Sequence, residues 1–91
     1  MLENPDRVQQ RLKIIREYLM KAFPGFGMWD EAEPDICHKF VLTNPETADE
    51  LKLKVMWGRF SDPSSDPKTM ERLLVLNEVA EKLREQKYYY W

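Results

Sequence analysis

Apolar residues recur at helical spacing over the first quarter of the chain. Each lies three or four positions from the next, as on the buried face of an amphipathic helix. The positions are Val8, Leu12, Ile15, Leu19 and Phe23. An asparagine and a proline at residues 4–5 suit the cap and first turn of a helix, whereas PGFG at residues 24–27 stops one. We therefore predict a helix over residues 5–22.

Between residues 27 and 60 the apolar period changes to two, which is typical of strands with one buried face. In LKLKVMW, residues 51–57, every odd-numbered position is apolar, and DICHKFVLT at residues 35–43 alternates in the same way. A shorter strand over residues 28–32 precedes them. We predict three strands, at about 28–32, 35–43 and 50–57.

The segment at residues 44–50 allows two structures, a hairpin loop or a short helix, because Asn44 followed by proline is also a helix start. We favour the loop, since a helix continued through residues 51–57 would scatter their apolar side chains around its axis. Pairing Thr43 with Glu50 in a hairpin instead collects the large apolar side chains on one face. The same register places Lys39 opposite Lys54.

A second helix is predicted over residues 67–86. It follows a linker at residues 61–66 that contains part of a repeated Ser-Asp-Pro sequence, and Asp66 suits the helix cap with a proline after it. The sequence then ends in an aromatic run at residues 88–91, which favours extended structure. In a chain of this size we expect that aromatic tail to close the end of a small core, with a binding surface as the alternative.

These elements predict one α+β domain spanning residues 1–91, with two helices packed on one face of a small three-stranded antiparallel sheet. The order α-β-β-β-α resembles that of double-stranded RNA-binding domains. Those domains have a lysine-rich turn at the start of their last helix, where this sequence reads DPKTME with Lys68 as its one basic residue. We assign no family on element order alone.

Composition narrows the functional classes. With 43% hydrophobic and 33% charged residues the chain has the balance of a folded domain, and its net charge of -2 disfavours binding to bulk polyanions. It contains one cysteine, no recognisable targeting segment and no apolar run near the roughly 20 residues of a membrane span. We therefore expect a cytoplasmic protein without a membrane partner.

Sequence patterns that carry catalysis or bind cofactors are missing. Cys37 and His38 are adjacent, so on a strand they point to opposite faces and cannot share a proton or a metal ion. The acidic residues at 30–35 lack calcium-loop spacing, and the glycines at 25 and 27 do not form a phosphate loop. We expect no catalytic residue, no metal, no cofactor and no enzymatic activity.

One titratable pair stands out. If Ala32 pairs with Ile36, then Asp30 lies opposite His38 on neighbouring strands. A carboxylate beside an inward-facing imidazole favours its charged form, so we predict a pH-sensitive pair. The alternative is a half-buried histidine with a structural role.

Function is predicted from the outward face of the sheet and the aromatic tail. The candidate interaction residues are Trp29, Lys39, Lys52, Lys54, Met56, Tyr88, Tyr89, Tyr90 and Trp91. We expect a small interaction module that binds another protein or its own copy. The alternative is a nucleic-acid-associated domain that adds basic residues of the first helix, namely Arg7, Arg11, Lys13, Arg16 and Lys21.

Overall fold

A computed structural model of the chain describes residues 5–33, 36–61 and 67–91. Within these residues there are four helices, α1 (Pro5–Ala22), α2 (Gly58–Ser61), α3 (Pro67–Leu76) and α4 (Val79–Gln86). The four strands are β1 (Gly27–Glu33), β2 (Cys37–Thr43), β3 (Glu50–Met56) and β4 (Tyr88–Tyr90). They form one sheet in the order β1-β2-β3-β4, so the α+β class is confirmed.

The hairpin between β2 and β3 has the predicted register. Thr43 pairs with Glu50, and Lys39 pairs with Lys54. The connection is a loop, in which the Asn44 side chain accepts a hydrogen bond of 2.9 Å from the Glu46 N–H and Ala48 has a positive φ of 63°. A side chain that bonds its own backbone two residues on favours a turn over a helix start.

The predicted three-stranded antiparallel sheet is wrong in strand number and direction. Tyr88–Tyr90 adds a fourth strand that runs parallel to β3, with Lys52 opposite Tyr88 and Lys54 opposite Tyr90. Trp91 extends the pairing, because its N–H donates to the Lys54 carbonyl at 2.7 Å. Parallel pairing requires a long crossover, here through α3 and α4, and no local sequence pattern marks it.

The predicted helix over residues 67–86 is two helices with a break at Asn77 and Glu78. The Asn77 side-chain amide donates to the Leu73 carbonyl at 2.9 Å, and Glu78 adopts a left-handed conformation with φ 52°. Asparagine competes for backbone groups in this way, which interrupts a helix that the apolar period alone continues. Strand β3 ends one residue before the predicted end, at Met56, and helix α2, which was not predicted, includes the first residue of the predicted linker. Residues 62–66 lie outside the described residues.

The Tyr18 hydroxyl joins the two halves of the broken helix to α1. It accepts a hydrogen bond of 3.0 Å from the Ala80 N–H in the first turn of α4 and lies 3.3 Å from the Leu74 carbonyl of α3, to which it donates. Glu78, at the start of α4, makes no side-chain cap. The phenol therefore supplies the acceptor that a capping side chain normally provides.

The core lies between the helices and one face of the sheet, called here the inner face. It is built from the apolar stripe of α1, the inward residues of β2 and β3, and residues of α2, α3 and α4. Trp91 belongs to this core, and the Arg59 guanidinium lies 4.2 Å from the centre of its ring. The aromatic tail is therefore partly structural.

Replacing Tyr18 with phenylalanine removes the hydroxyl but keeps the ring. We expect the free energy of unfolding to fall by about 1–2 kcal/mol, because the buried Ala80 N–H loses its acceptor. Urea unfolding followed by circular dichroism measures the change. The control is Tyr90→Phe, whose ring is exposed and which we expect to change stability by less than about 0.5 kcal/mol. Equal stability of the two variants would contradict the capping role.

Replacing Trp91 with alanine tests the structural part of the tail. We expect a loss of about 3–5 kcal/mol, the scale of large aromatic truncations in a core, measured by the same unfolding experiment. Tyr88→Ala, at an exposed position of the same segment, provides the comparison. A Trp91→Ala variant as stable as Tyr88→Ala would show that the indole does not complete the core.

Candidate functional site

The side of the sheet opposite the helices, called here the outer sheet face, brings most of the predicted interaction residues together. Strand register arranges their side chains in rows across the four strands. One row contains Trp29, Val41, Lys52 and Tyr88, and the next contains Glu31, Lys39, Lys54 and Tyr90. A shorter third row contains Glu33, Cys37 and Met56.

Large apolar side chains on this face are open to solvent. Trp29 is 50% exposed, Met56 43%, Tyr88 45% and Tyr90 46%. Trp29 lies on one edge strand and the two tyrosines lie on the other, so aromatic groups border both sides of the face. Half-exposed aromatic groups gathered on one face make it the candidate interaction surface.

Every lysine of the outer sheet face has a glutamate close by. The Lys39 ammonium lies 3.1 Å from the Glu31 carboxylate, and Lys54 lies 3.5 Å from Glu33. At the end of the face, Lys52 lies 3.5 Å from Glu50. The predicted like-charge contact of Lys39 with Lys54 therefore occurs within an alternating network of charges. The face as a whole carries three lysines and three glutamates, and it is neutral.

The lysines also lie against the aromatic rings. The Lys39 ammonium is 5.3 Å from the centre of the Trp29 ring, and Lys54 is 5.9 Å from that of Tyr88. Between these side chains, Val41 and Cys37 are fully buried although they point away from the helices. Lysine stems can cover apolar surface in this way while the ammonium group stays in water. Burial raises the pKa of the Cys37 thiol, which favours a structural over a reactive cysteine.

The aromatic tail divides between the two faces. Tyr88 and Tyr90 belong to the outer sheet face, whereas Tyr89 packs against the core and its hydroxyl lies 3.4 Å from the Lys82 ammonium. Trp91 is 4% exposed. Of the predicted interaction residues 88–91, Trp91 is therefore buried and Tyr89 is half-buried, and only Tyr88 and Tyr90 are exposed on the outer sheet face. Strand alternation explains the division, but it could not be applied before β4 was known.

The three glutamates of the outer sheet face were not among the predicted site residues. The sequence pattern could have identified two of them, because Glu31 and Glu33 follow Trp29 at every second position of one strand and therefore share its face. Glu50 follows from the hairpin register. The predicted face contained lysines and no acidic residue, and these glutamates make it neutral.

The basic surface predicted on α1 is smaller than expected. Arg11 is buried, and its guanidinium donates a hydrogen bond to the Phe60 carbonyl. Arg16 binds Asp30. Lys13 and Lys21 remain exposed, and the side chain of Arg7 lies outside the described residues.

Asp30 and His38 meet on the inner face, where α1 crosses the sheet. The His38 Nε2 atom lies 2.7 Å from Asp30 Oδ2, and Arg16 donates two hydrogen bonds to the same carboxylate, at 2.9 and 2.7 Å. His38 is 6% exposed and lies beside the rings of Phe40 and Trp57. The network therefore joins α1, β1 and β2 at one buried point.

The register predicted for this pair is wrong by two residues. Ala32, and not Asp30, lies opposite His38, because the strands turn one residue later than expected: Glu33 pairs with Cys37, whereas the prediction paired Ala32 with Ile36. Asp30 lies opposite Phe40. Aspartate and histidine still meet, since diagonal neighbours on one face of a sheet are within reach of each other.

Arg16 is the member of this network that sequence analysis did not assign. Its two hydrogen bonds are the main reason that the pKa of Asp30 lies below its usual range, with a smaller contribution from His38. Charge-assisted, two-pronged contacts of this kind are among the stronger side-chain hydrogen bonds. The arginine lies next to Ile15 of the core stripe, which places it at the border between helix and sheet.

A groove at the other end of the molecule is a weaker candidate. Its volume is about 290 Å³, and it is lined by Ala22, Phe23, Pro24, Phe26, Asp49, Leu51, Arg84 and Lys87. Both of its cations have contacts already, because Arg84 donates to the Ala22 carbonyl at 2.7 Å and Lys87 lies 3.5 Å from Asp49. The groove therefore offers an apolar wall without a free charge to orient a ligand.

The described residues contain neither a metal-binding cluster nor a membrane-spanning helix. Within residues 5–33, 36–61 and 67–91, no three histidine, cysteine or acidic side chains are grouped so that they could hold a metal ion. No helix in that part of the chain has both the length and the apolar character that crossing a membrane requires. No protein-family model matches the sequence, and no curated protein or solved structure matches it at a significant level.

The Asp30 network predicts a pH-dependent stability. Because the folded-state pKa of Asp30 is lowered, its contribution is complete above the unfolded value of about 3.9 and is lost as the pH falls through the folded value. We expect Asp30→Asn to cost about 1–3 kcal/mol at pH 7, since Arg16 and His38 lose a charged partner. The difference from wild type should shrink as the pH falls from 5 to 2, measured by urea unfolding.

The control for Asp30→Asn is Glu31→Gln, on the same strand but half exposed. A pH profile of Asp30→Asn that runs parallel to wild type would contradict the ionic role. The predicted pH sensitivity of the Asp30–His38 pair is a separate prediction.

Proposed function

We propose that this protein is a non-catalytic interaction module that binds a protein through its outer sheet face. The observation that carries the proposal is the combination of half-exposed aromatic groups with fully matched charges on one face. Trp29, Tyr88, Tyr90 and Met56 provide apolar contact area, and aromatic residues and methionine are enriched in protein interfaces. The lysines and glutamates add specificity at a low desolvation cost, since each charge enters an interface with an opposite charge already beside it.

Charge favours a protein over a nucleic acid. Nucleic-acid affinity depends on cations that neutralise phosphates, and stacking on aromatic rings adds to it. The rings are available on this face, but Lys39 and Lys54 would have to leave Glu31 and Glu33 to reach phosphates. The exposed basic residues of α1 are also fewer than the sequence suggested. Nucleic-acid binding through the sheet and α1 is therefore the alternative function.

The proposal includes two further expectations. The module acts without catalysis, in keeping with a buried cysteine whose pKa is raised by its burial. It works in the cytoplasm, in keeping with a single cysteine held as a free thiol.

Site-specific photo-crosslinking in the native host tests the proposed surface. A photoreactive phenylalanine analogue is placed at Tyr88 or Tyr90, and we expect discrete crosslinked protein bands because these rings would lie inside the interface. The matched control is the same analogue at Met20, which is 61% exposed on α1, away from the sheet face. We expect no band in common between the control and the face positions.

Two results would overturn the proposal. One is a crosslinking pattern at Tyr88 and Tyr90 that is identical to that at Met20. The other is crosslinking from the face to RNA or DNA in place of protein. Fluorescence anisotropy with single-stranded DNA and RNA at low salt checks the second result directly, and we expect no binding in the micromolar range.

A further inference from the structure

The outer sheet face has a pattern of charges and rings that is complementary to itself. We infer that its occupant is a second copy of the chain, bound face to face across a two-fold axis parallel to the strands. The inference rests on the proposed function, because it names the partner of the same surface.

The order of strands determines which residues would meet. A two-fold axis that runs along the strands, between the two sheets, places β1 of one copy over β4 of the other and β2 over β3. Each row of side chains then faces the same row of the second copy. Trp29 meets Tyr88 of the second copy, and Glu31 meets the phenol group of Tyr90 of the second copy. Because such an interface is isologous, each contact occurs twice.

Charge selects this axis over the other two-fold arrangement. An axis across the strands would place β1 over β1, so that Glu31 and Glu33 of both copies form one group of four carboxylates. With the axis along the strands, Glu31 faces Tyr90 of the second copy, Glu33 faces no β4 residue, and the lysines lie in the middle. Lys39 then approaches Lys54 of the second copy, and each of these lysines has a glutamate within 3.5 Å. The two copies therefore bring together four lysines, each already beside a glutamate of its own copy.

The size of the face suits a dimer. A large aromatic side chain has roughly 150–250 Å² to bury, so half-exposed rings contribute on the order of 100 Å² each. Trp29, Tyr88, Tyr90 and Met56 together offer on the order of 400 Å² per copy, about half of the roughly 800 Å² that each partner buries in a standard interface. The lysine stems and glutamates around them supply the remainder. Sheets stacked in this way pack about 10 Å apart, which leaves room for the rings to interdigitate.

Neutrality supports a second copy over an unlike partner. A partner of strong charge gains no attraction from a face whose three lysines and three glutamates balance one another. The whole chain has a net charge of -2, so two copies repel each other only weakly. A second copy presents rings at both edges and balanced charges between them, in the positions where the first copy has them.

Sedimentation equilibrium of the full 91-residue chain tests the inference. We expect twice the monomer mass of 11.0 kDa, with a dissociation constant in the micromolar range or tighter. Trp29→Ala and Tyr88→Ala should each raise that constant at least tenfold, because each removes two symmetric ring contacts. Met20→Ala removes an exposed apolar group of α1 and should leave the constant unchanged within twofold. Circular dichroism of each variant confirms that it is folded.

Isotope-filtered NMR tests the axis without a mutation. In a mixture of labelled and unlabelled chains, we expect contacts between the Trp29 indole of one copy and the Tyr88 ring of the other. Contacts between the two Trp29 indoles would overturn the proposed axis.

Three results distinguish this inference from the function on which it rests. A wild-type chain that stays monomeric at 1 mM overturns the dimer, as does a dimer that Trp29→Ala and Tyr88→Ala do not weaken. The interaction module survives either result if Tyr88 and Tyr90, but not Met20, crosslink to a protein in the host. Face positions that crosslink no differently from Met20 overturn the module itself.

Discussion

Backbone pairing between β3 and the last strand, β4, is the interaction on which both faces of the sheet depend. It fixes the register of four consecutive aromatic residues and therefore decides which of them enter the core. Tyr89 and Trp91 turn inward, and Tyr88 and Tyr90 turn outward. In a domain this small, one segment thus completes the core and also borders the exposed face, because strand side chains alternate between the two sides.

The two faces of the sheet use charge for different purposes. On the inner face, Arg16 and His38 converge on Asp30 where water is largely excluded, so the contacts attach α1 to the first hairpin. On the outer face, lysines and glutamates are spread in alternation and remain partly solvated. Solvated ion pairs contribute little to folding stability. Their effect is to remove net charge from a surface rich in aromatic rings.

The pattern of apolar and polar residues was sufficient to predict the structure of segments that are close in the sequence. The β2–β3 register followed from alternation on both sides of one loop, since a slip by one residue would turn every large apolar side chain outward. The register of β1 was off by two residues, because an even slip keeps the same side chains inward and alternation cannot detect it. An even slip also keeps Asp30 and His38 on the predicted face. They are diagonal neighbours there and do not lie opposite each other.

The sequence alone determined the amphipathic α1, the β2–β3 hairpin, the inward direction of Asp30 and His38, and the presence of lysines and Trp29 on one outward face. Tertiary structure decided the break at Asn77, the burial of Arg11, and the parallel position of β4. It also decided that each lysine of the face has a glutamate beside it. Each of the first group depends on spacing within one segment. In the second group, the break at Asn77 is local but contradicts the apolar period, which continues through it. The burial of Arg11 and the position of β4 depend on groups that meet across many residues, and no local period encodes such meetings.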